Sequence, residues 1–360
     1  MNINVTKPFL PPRSEYEAYI AGIWNREWLT NNGPLVNELE MGLKEYLGLD
    51  HLLYVSNGTI AIQLALKALD VTGEVITTPF SYVATSSSIV WEGCKPVMAD
   101  ISLTDFNIDP ARIEEKITSE TSAIVATHVY GNPCDVDAID AIAARHGLKV
   151  IYDAAHAFGT KYKGRSLFDF GDVSTASFHA TKLFHTIEGG AVMARKPEVL
   201  KRMAEMRNFG HVSPVSFHEV GINGKNSEFH AAMGLCNLKY VDEILATRRR
   251  LSERYDEHLE GLPVLRPRPR ADTEYNHAYY ALAFESETQL QKVIADLQVQ
   301  SVFPRRYFFP SLSELPYVET NACPVSEDVS RRVMCLPLYH TLSVEEVDMI
   351  CRLIKRSVRY

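Results

Sequence analysis

Between about residues 52 and 195, short runs of apolar side chains rich in Val and Ile alternate with segments of helical periodicity. The runs are LLYVS, EVITT, KPVMADI, SAIVATHV, LKVIYD and the pair DVSTASF and GGAVMAR. AIQLALKALD, SYVATSSSIVWEG and DVDAIDAIAARHG lie between them, each long enough for a helix of about two to four turns. This is the pattern of a mostly parallel sheet covered by helices on both faces, so a doubly wound α/β domain is predicted. Such sheets bind ligands near the carboxyl ends of their strands.

After roughly residue 240 the texture changes. VDEILATRRRLSERYDEHLEGL predicts a long amphipathic helix, and the Pro- and Arg-rich PVLRPRPRADT predicts a turn after it. The strand-like YYALAFE, the helix-like ETQLQKVIADLQ and the terminal SVEEVDMICRLIKRSV then predict a small α/β domain. The expected division is an N-terminal segment and large domain over 1–240 and a small C-terminal domain over 241–360.

A chain of 360 residues, 46% hydrophobic, is long enough for both. The net charge of −8, with Lys and Arg scattered, leaves no basic stripe for nucleic acid, so an anionic ligand needs a local pocket. The six cysteines have no spacing suited to a metal and read as buried or free thiols in a reducing compartment. The start MNINVTKPFLPPRSEYEAYI lacks the features of a signal peptide, and no later apolar run is long enough to span a bilayer. A soluble cytoplasmic protein with no membrane or nucleic-acid partner is expected.

The strongest chemical signal is Ser177-Phe178-His179-Ala180-Thr181-Lys182 with Glu188-Gly189-Gly190 after it, a lysine just past an apolar strand among hydroxyls and glycines. Partial desolvation would lower its ammonium pKa and free the amine for Schiff-base chemistry; a solvated loop lysine fits this segment alone equally well. Asp153 ends the strand LKVIYD. It suits a partner for the ring nitrogen of a pyridoxal cofactor, or a cap for the next turn. Ser56-Asn57-Gly58-Thr59 joins a strand to a helix and offers amides for a phosphate, although Ser-Asn-Gly is also a common turn and cap. Tyr82 follows another strand end, where it could lie flat on a planar ring or pack in the core. His156 suits a contact to a phenolic oxygen or a satisfied core histidine.

Taken in order, WLTNNGPLVNELE, SNGTIAIQLAL, TTPFSYVATSSSIV, VYGNPCDVDAI, IYDAAHAFGT, SFHATKLFHTIEGG, GINGKNSEFHAA and CLPLYHTLSVEEVD resemble the DegT/DnrJ/StrS family of sugar aminotransferases, members of fold type I of the pyridoxal-phosphate enzymes. The resemblance implies a large domain with a mostly parallel seven-stranded sheet and a small C-terminal α/β domain. It also implies pyridoxal 5′-phosphate as cofactor. Lys182 would hold the cofactor covalently and move the substrate proton; Asp153 would pair with the ring nitrogen, Tyr82 would stack on the ring and His156 would contact the phenolic oxygen. Gly58, Thr59 and Ser177 would hold the phosphate. Asn223 would reach the phosphate of a neighbouring subunit, making a homodimer with shared sites.

The implied substrates are a nucleotide-linked keto sugar and, as amino donor, L-glutamate. GINGKNSEF together with PRRYFFPSL looks most like the branch that forms dTDP-4-amino-4,6-dideoxyglucose from the 4-keto-6-deoxy sugar. Sugar amines of this kind decorate bacterial surface glycans, such as the O-antigen of lipopolysaccharide, or secondary metabolites. Lys225, Glu228, Arg305, Arg306, Tyr307 and Phe308 are candidate substrate contacts, because a nucleotide diphosphate needs cations and a base can stack; a salt-bridged surface loop accounts equally well for either arginine.

Two positions depart from the family's commonest pattern: His185 stands where many members have Asn, and Ile187 where many have Gly. Lys182 argues against the branch that dehydrates sugars, which carries His there. The absence of GxGxxG after the first strand argues against a dinucleotide-binding dehydrogenase. Amination at C3 of a 3-keto or UDP-linked sugar stays open, and a non-catalytic regulator that binds cofactor or sugar nucleotide is the alternative from another class.

Overall fold

A computed structural model describes residues 2–319 and 322–359. The apolar runs form seven strands, Leu52–Val55, Glu74–Thr77, Lys95–Met98, Thr121–Thr127, Lys149–Asp153, Val173–Ser177 and Gly190–Ala194, all in one sheet. From one edge the order is 52–55, 190–194, 173–177, 149–153, 121–127, 74–77, 95–98. Gly190–Ala194 is antiparallel to both neighbours and the other pairings are parallel. Continuous burial along Leu52–Val55 and Gly190–Ala194 explains why these strands carry no polar alternation.

The two faces of the sheet have separate cores. One, with Tyr54, Ile76, Ile124 and Tyr152, is covered by the helices Pro34–Leu47, Val136–His146 and Glu228–Leu238. The other, with Val55, Val75, Val125 and Ile151, is covered by Gly58–Ala68 and Pro197–Met206. Asp135 starts the helix Val136–His146 by accepting the Ala138 amide at 3.2 Å, a side-chain cap of the usual kind.

The C-terminal layer has its own core around Tyr280, Leu282, Leu290, Met334 and Ile350, built on the antiparallel strands Tyr280–Ala283 and Val333–Leu336. The helix Val241–Leu259 serves both parts: Val241 and Ile244 pack into the large core, Leu251, Tyr255 and Leu259 into the small one. The chain start also crosses over, since Ile3–Asn4 pairs in parallel with Val302–Phe303 and Ile3 joins the small core. A cut between residues 240 and 241 therefore separates two cores that a helix and a terminal strand stitch together. Among the described residues no helix is long and apolar enough to cross a membrane. All six cysteines are buried and unpaired.

Candidate active site

Strand ends converge on a cavity of about 250 Å³ at the carboxyl edge of the sheet. Asp153, Thr127 and Ser177 each finish a strand and line it, and the segment after Glu74–Thr77 brings in Ser81 and Tyr82. Lys182 lies on the loop between the antiparallel neighbours Val173–Ser177 and Gly190–Ala194. Backbone bonds close that loop, from Phe178 N to Gly189 O at 2.7 Å and from Thr186 N to Phe178 O at 2.9 Å. Its buried Phe184 stacks on Phe158 and its buried Phe178 meets both rings edge-on, which packs the loop against the sheet.

Burial lowers the Lys182 ammonium to about 8, with Asp153 pulling the other way. Asp153 is 6% exposed, and burial raises its carboxyl. Hydrogen bonds from the Thr85 hydroxyl to Oδ2 at 2.7 Å and from the Ala155 amide to Oδ1 at 3.2 Å, with Lys182, oppose that rise and favour the anion. Burial holds His156 well below its ordinary value, so its imidazole is neutral. Its Nδ1 is buried without a hydrogen-bond partner, while its ring lies parallel to Phe308 at 5.7 Å and edge-on to Tyr279 at 4.8 Å.

At the cavity's other end, the helix Gly58–Ala68 points its N-terminus inward. Asn57 caps it by accepting the Ile60 amide at 2.8 Å, and Asn57 O takes the Ala61 amide. The Gly58 and Thr59 amides are thus left for an anion. A Cβ on Gly58 would come within 2.9 Å of Ser177 Cβ, so the close approach of helix and strand end requires glycine.

These residues fit pyridoxal phosphate. The unmet Nδ1 of His156, the glycine-lined cradle with free helix amides, and an amine and a carboxylate on one cavity are the donor set that a phosphorylated pyridine aldehyde needs. Lys182 would hold it covalently, with Asp153 at its ring nitrogen and Gly58, Thr59 and Ser177 at its phosphate.

The structure thus brings Gly58, Thr59, Tyr82, Asp153, His156, Ser177 and Lys182 together, with Arg305, Tyr307 and Phe308 on the wall of the same cavity. Other expected contacts lie elsewhere. Glu228 is fully buried, its two oxygens accepting the Leu35 and Val36 amides at 2.9 and 3.0 Å. It caps the helix Pro34–Leu47, whose own cap residue Gly33 has no side chain; a Cβ on Gly33 would lie 2.5 Å from the Glu228 carboxyl carbon. The expected substrate contact therefore lies outside the cavity of its own chain, held as a helix cap. Arg306 is likewise turned aside, bonded to Glu287 at 2.9 Å and to Arg331 O at 2.7 Å, with its guanidinium over the Phe309 ring. Lys225 donates to Asn208 at 2.7 Å and Asn223 is exposed; neither lines the cavity of its own chain.

Several lining residues went unread in the sequence. Ser81, with Thr85 behind it, belongs to the hydroxyl-rich TTPFSYVATSSS, in which nothing distinguishes one hydroxyl from the next, and Thr127 ends the apolar strand Thr121–Thr127 with no motif around it. Tyr279 arrives from the distant C-terminal layer without a motif.

A model of the DegT/DnrJ/EryC1/StrS aminotransferase family matches residues 13–355. A dTDP-4-amino-4,6-dideoxy-D-glucose transaminase of Shigella dysenteriae is 41% identical over 98% of both chains. A GDP-perosamine synthase of Vibrio cholerae is 31% identical over 91% of this chain and 92% of that one. Among solved structures, DesI in the presence of its TDP-sugar product superposes with a TM-score of 0.94 at 33% identity, covering 99% of this chain and 93% of that one.

Proposed function

The chain belongs to the DegT/DnrJ/EryC1/StrS aminotransferase family, a family of pyridoxal-phosphate-dependent sugar transaminases, and from that premise we propose that it converts dTDP-4-keto-6-deoxy-D-glucose to dTDP-4-amino-4,6-dideoxy-D-glucose with L-glutamate as amino donor. The observation that carries the choice of sugar is the 41% identity, end to end, to a transaminase named for that product. The supporting chemistry is an amine, a carboxylate and a neutral imidazole on one cavity.

Bound pyridoxal phosphate supplies the electron sink and carries the amino group between donor and acceptor. The chain's own residues do the rest. Lys182, with its ammonium near 8, exchanges a proton with the substrate carbon at neutral pH in either direction. Asp153, whose hydrogen bonds favour the anion against its burial, holds a positive charge opposite it in place. Tyr279, Tyr307 and Phe308 form an aromatic wall against which a deoxy sugar packs, and Arg305 supplies the cation for its diphosphate.

The exposed position of Asn223 supports a homodimer in which this residue serves the partner's phosphate cradle. The test is an absorbance titration of the purified protein with pyridoxal phosphate, then glutamate, then dTDP-4-keto-6-deoxyglucose, with the product identified by mass and NMR. Glutamate should bleach the long-wavelength band, the sugar should restore it, and the amine should appear at C4. Bleaching without restoration rejects this sugar, an amine at C3 moves the reaction to the neighbouring carbon, and no long-wavelength band rejects the whole reading. Lys182→Ala should abolish turnover. Mixed with Asn223→Ala in heterodimers, it should regain part of it; no recovery there rejects shared sites.

A further inference from the structure

Behind Asp153 stand three buried hydroxyls from three different parts of the fold. Thr85 belongs to the helix Val83–Trp91, Ser81 to the turn before it, and Thr127 to the end of the neighbouring strand. Thr85 Oγ1 lies 2.7 Å from Asp153 Oδ2, Ser81 Oγ 2.8 Å from Thr85 Oγ1, and Thr127 Oγ1 3.0 Å from Ser81 Oγ. Chemistry fixes the direction of every proton. An ionised carboxylate only accepts, so Thr85 spends its one proton on Asp153 and must accept from Ser81, which must in turn accept from Thr127. All three dipoles therefore point at the carboxylate, and each polarises the next.

A buried hydroxyl can be satisfied without a carboxylate, by donating to a backbone carbonyl. Thr77 does so, giving its proton to Val125 O at 2.7 Å. The chain runs to the one group in the cavity whose buried negative charge has to be maintained, since burial by itself favours the protonated form.

We propose that Thr85, backed by Ser81 and Thr127, is a positioning residue that keeps Asp153 ionised and aimed into the cavity, so that the site selects a ring with a protonated nitrogen. This rests on the reading of Asp153 as the partner of the cofactor's ring nitrogen. It deepens that reading by assigning work to Thr85, which stands behind the cavity wall, and to the wall hydroxyls Ser81 and Thr127 that back it.

The test compares dissociation constants of the apo-protein for pyridoxal phosphate and for its 1-deaza analogue, in which C–H replaces the ring nitrogen. The wild type should prefer the nitrogen-bearing ligand. Thr85→Val, which keeps the shape and removes the hydroxyl, should narrow that preference about tenfold, the worth of one hydrogen bond to a charged group. Thr85→Ser should restore it. Ser81→Ala, one step further back, should narrow it by about threefold and serves if Thr85→Val does not fold.

A purely structural role would weaken both ligands alike or neither. An unchanged preference in Thr85→Val, or in Ser81→Ala where that variant stands in, overturns the proposal. A wild type that does not bind pyridoxal phosphate at all overturns the functional reading instead, and the two failures are thus distinguishable.

Discussion

Truncating Glu228 to alanine removes the carboxylate whose oxygens accept the Leu35 and Val36 amides at 2.9 and 3.0 Å. Both amides sit in the first turn of the helix Pro34–Leu47, where no side chain of the helix itself can reach them, because Gly33 occupies the cap position. A buried N–H left without an acceptor costs about 1–3 kcal/mol, so the pair costs about 4 kcal/mol. Unfolding entropy near 2.1 cal/mol/K per residue gives about 0.75 kcal/mol/K for 360 residues, and the melting temperature should fall by about 5 °C.

Gly33→Ala supplies the internal control. At φ −70° alanine is conformationally at ease, so its cost comes from the 2.5 Å contact between the new Cβ and the Glu228 carboxyl carbon. In the Glu228→Ala background that obstacle is gone, and a double-mutant cycle read by calorimetry should show a coupling of about 1–3 kcal/mol. Below the melting range, KM for the sugar nucleotide should stay within about twofold, since a buried cap touches no ligand. An unchanged melting temperature with a raised KM would refute the capping argument and return Glu228 to substrate binding.

Burial also sets a pH dependence for Lys182. Acylation of its amine in the apo-protein, followed by peptide mass spectrometry, should rise with pH and level off around 8, where an exposed lysine would do so near 10.5; a midpoint near 10.5 contradicts the desolvated environment. Since the unfolded chain keeps this proton up to its ordinary 10.5, the group's contribution to stability should grow from about pH 8 to 10.5. Gly58→Ala, with its Cβ 2.9 Å from Ser177 Cβ, should weaken pyridoxal phosphate binding about tenfold; unaltered affinity by equilibrium dialysis would mean that the cradle has room to spare. Ile187 sits at φ 68°, a left-handed conformation that a β-branched residue adopts only under strain. Ile187→Gly should therefore raise stability by about 1 kcal/mol, seen as a melting temperature higher by about 1 °C, and a lower melting temperature would show that packing of the isoleucine outweighs the strain.

The last of these connects to what the sequence could and could not reveal. Ile187 stands out in the chain only against the glycine that the family resemblance leads one to expect, and its cost becomes visible only through the backbone angle. The seven strands of the large sheet are legible because burial on both faces leaves continuous apolar runs, and their ends locate Asp153 and Ser177 without further information. The reversed direction of Gly190–Ala194 went unread, although the chain carries a reason for it. The link after Val173–Ser177 contains no helix, and a parallel return would need a crossover.

What the sequence left open has one cause, which is that side-chain type does not give direction or partners. Arg305 and Arg306 are equivalent as letters, yet Arg305 bridges Cys335 and the chain turns tightly at Arg306, where Tyr307 N bonds Arg305 O, so one lines the cavity while the other is taken up by Glu287. Glu228 has the charge expected of a substrate contact, but its partners lie 192 and 193 positions away and the missing Cβ of Gly33 makes the room for it. The same holds for Ser81, Thr85 and Thr127, whose protons line up only when two strand ends and a helix meet. Asp153, Thr127 and Ser177, which line the cavity, can be placed from strand ends, because the covalent chain puts them there. Residues that tune those contacts are placed by tertiary meetings, which is why substitutions at such positions discriminate between otherwise equivalent readings of the site.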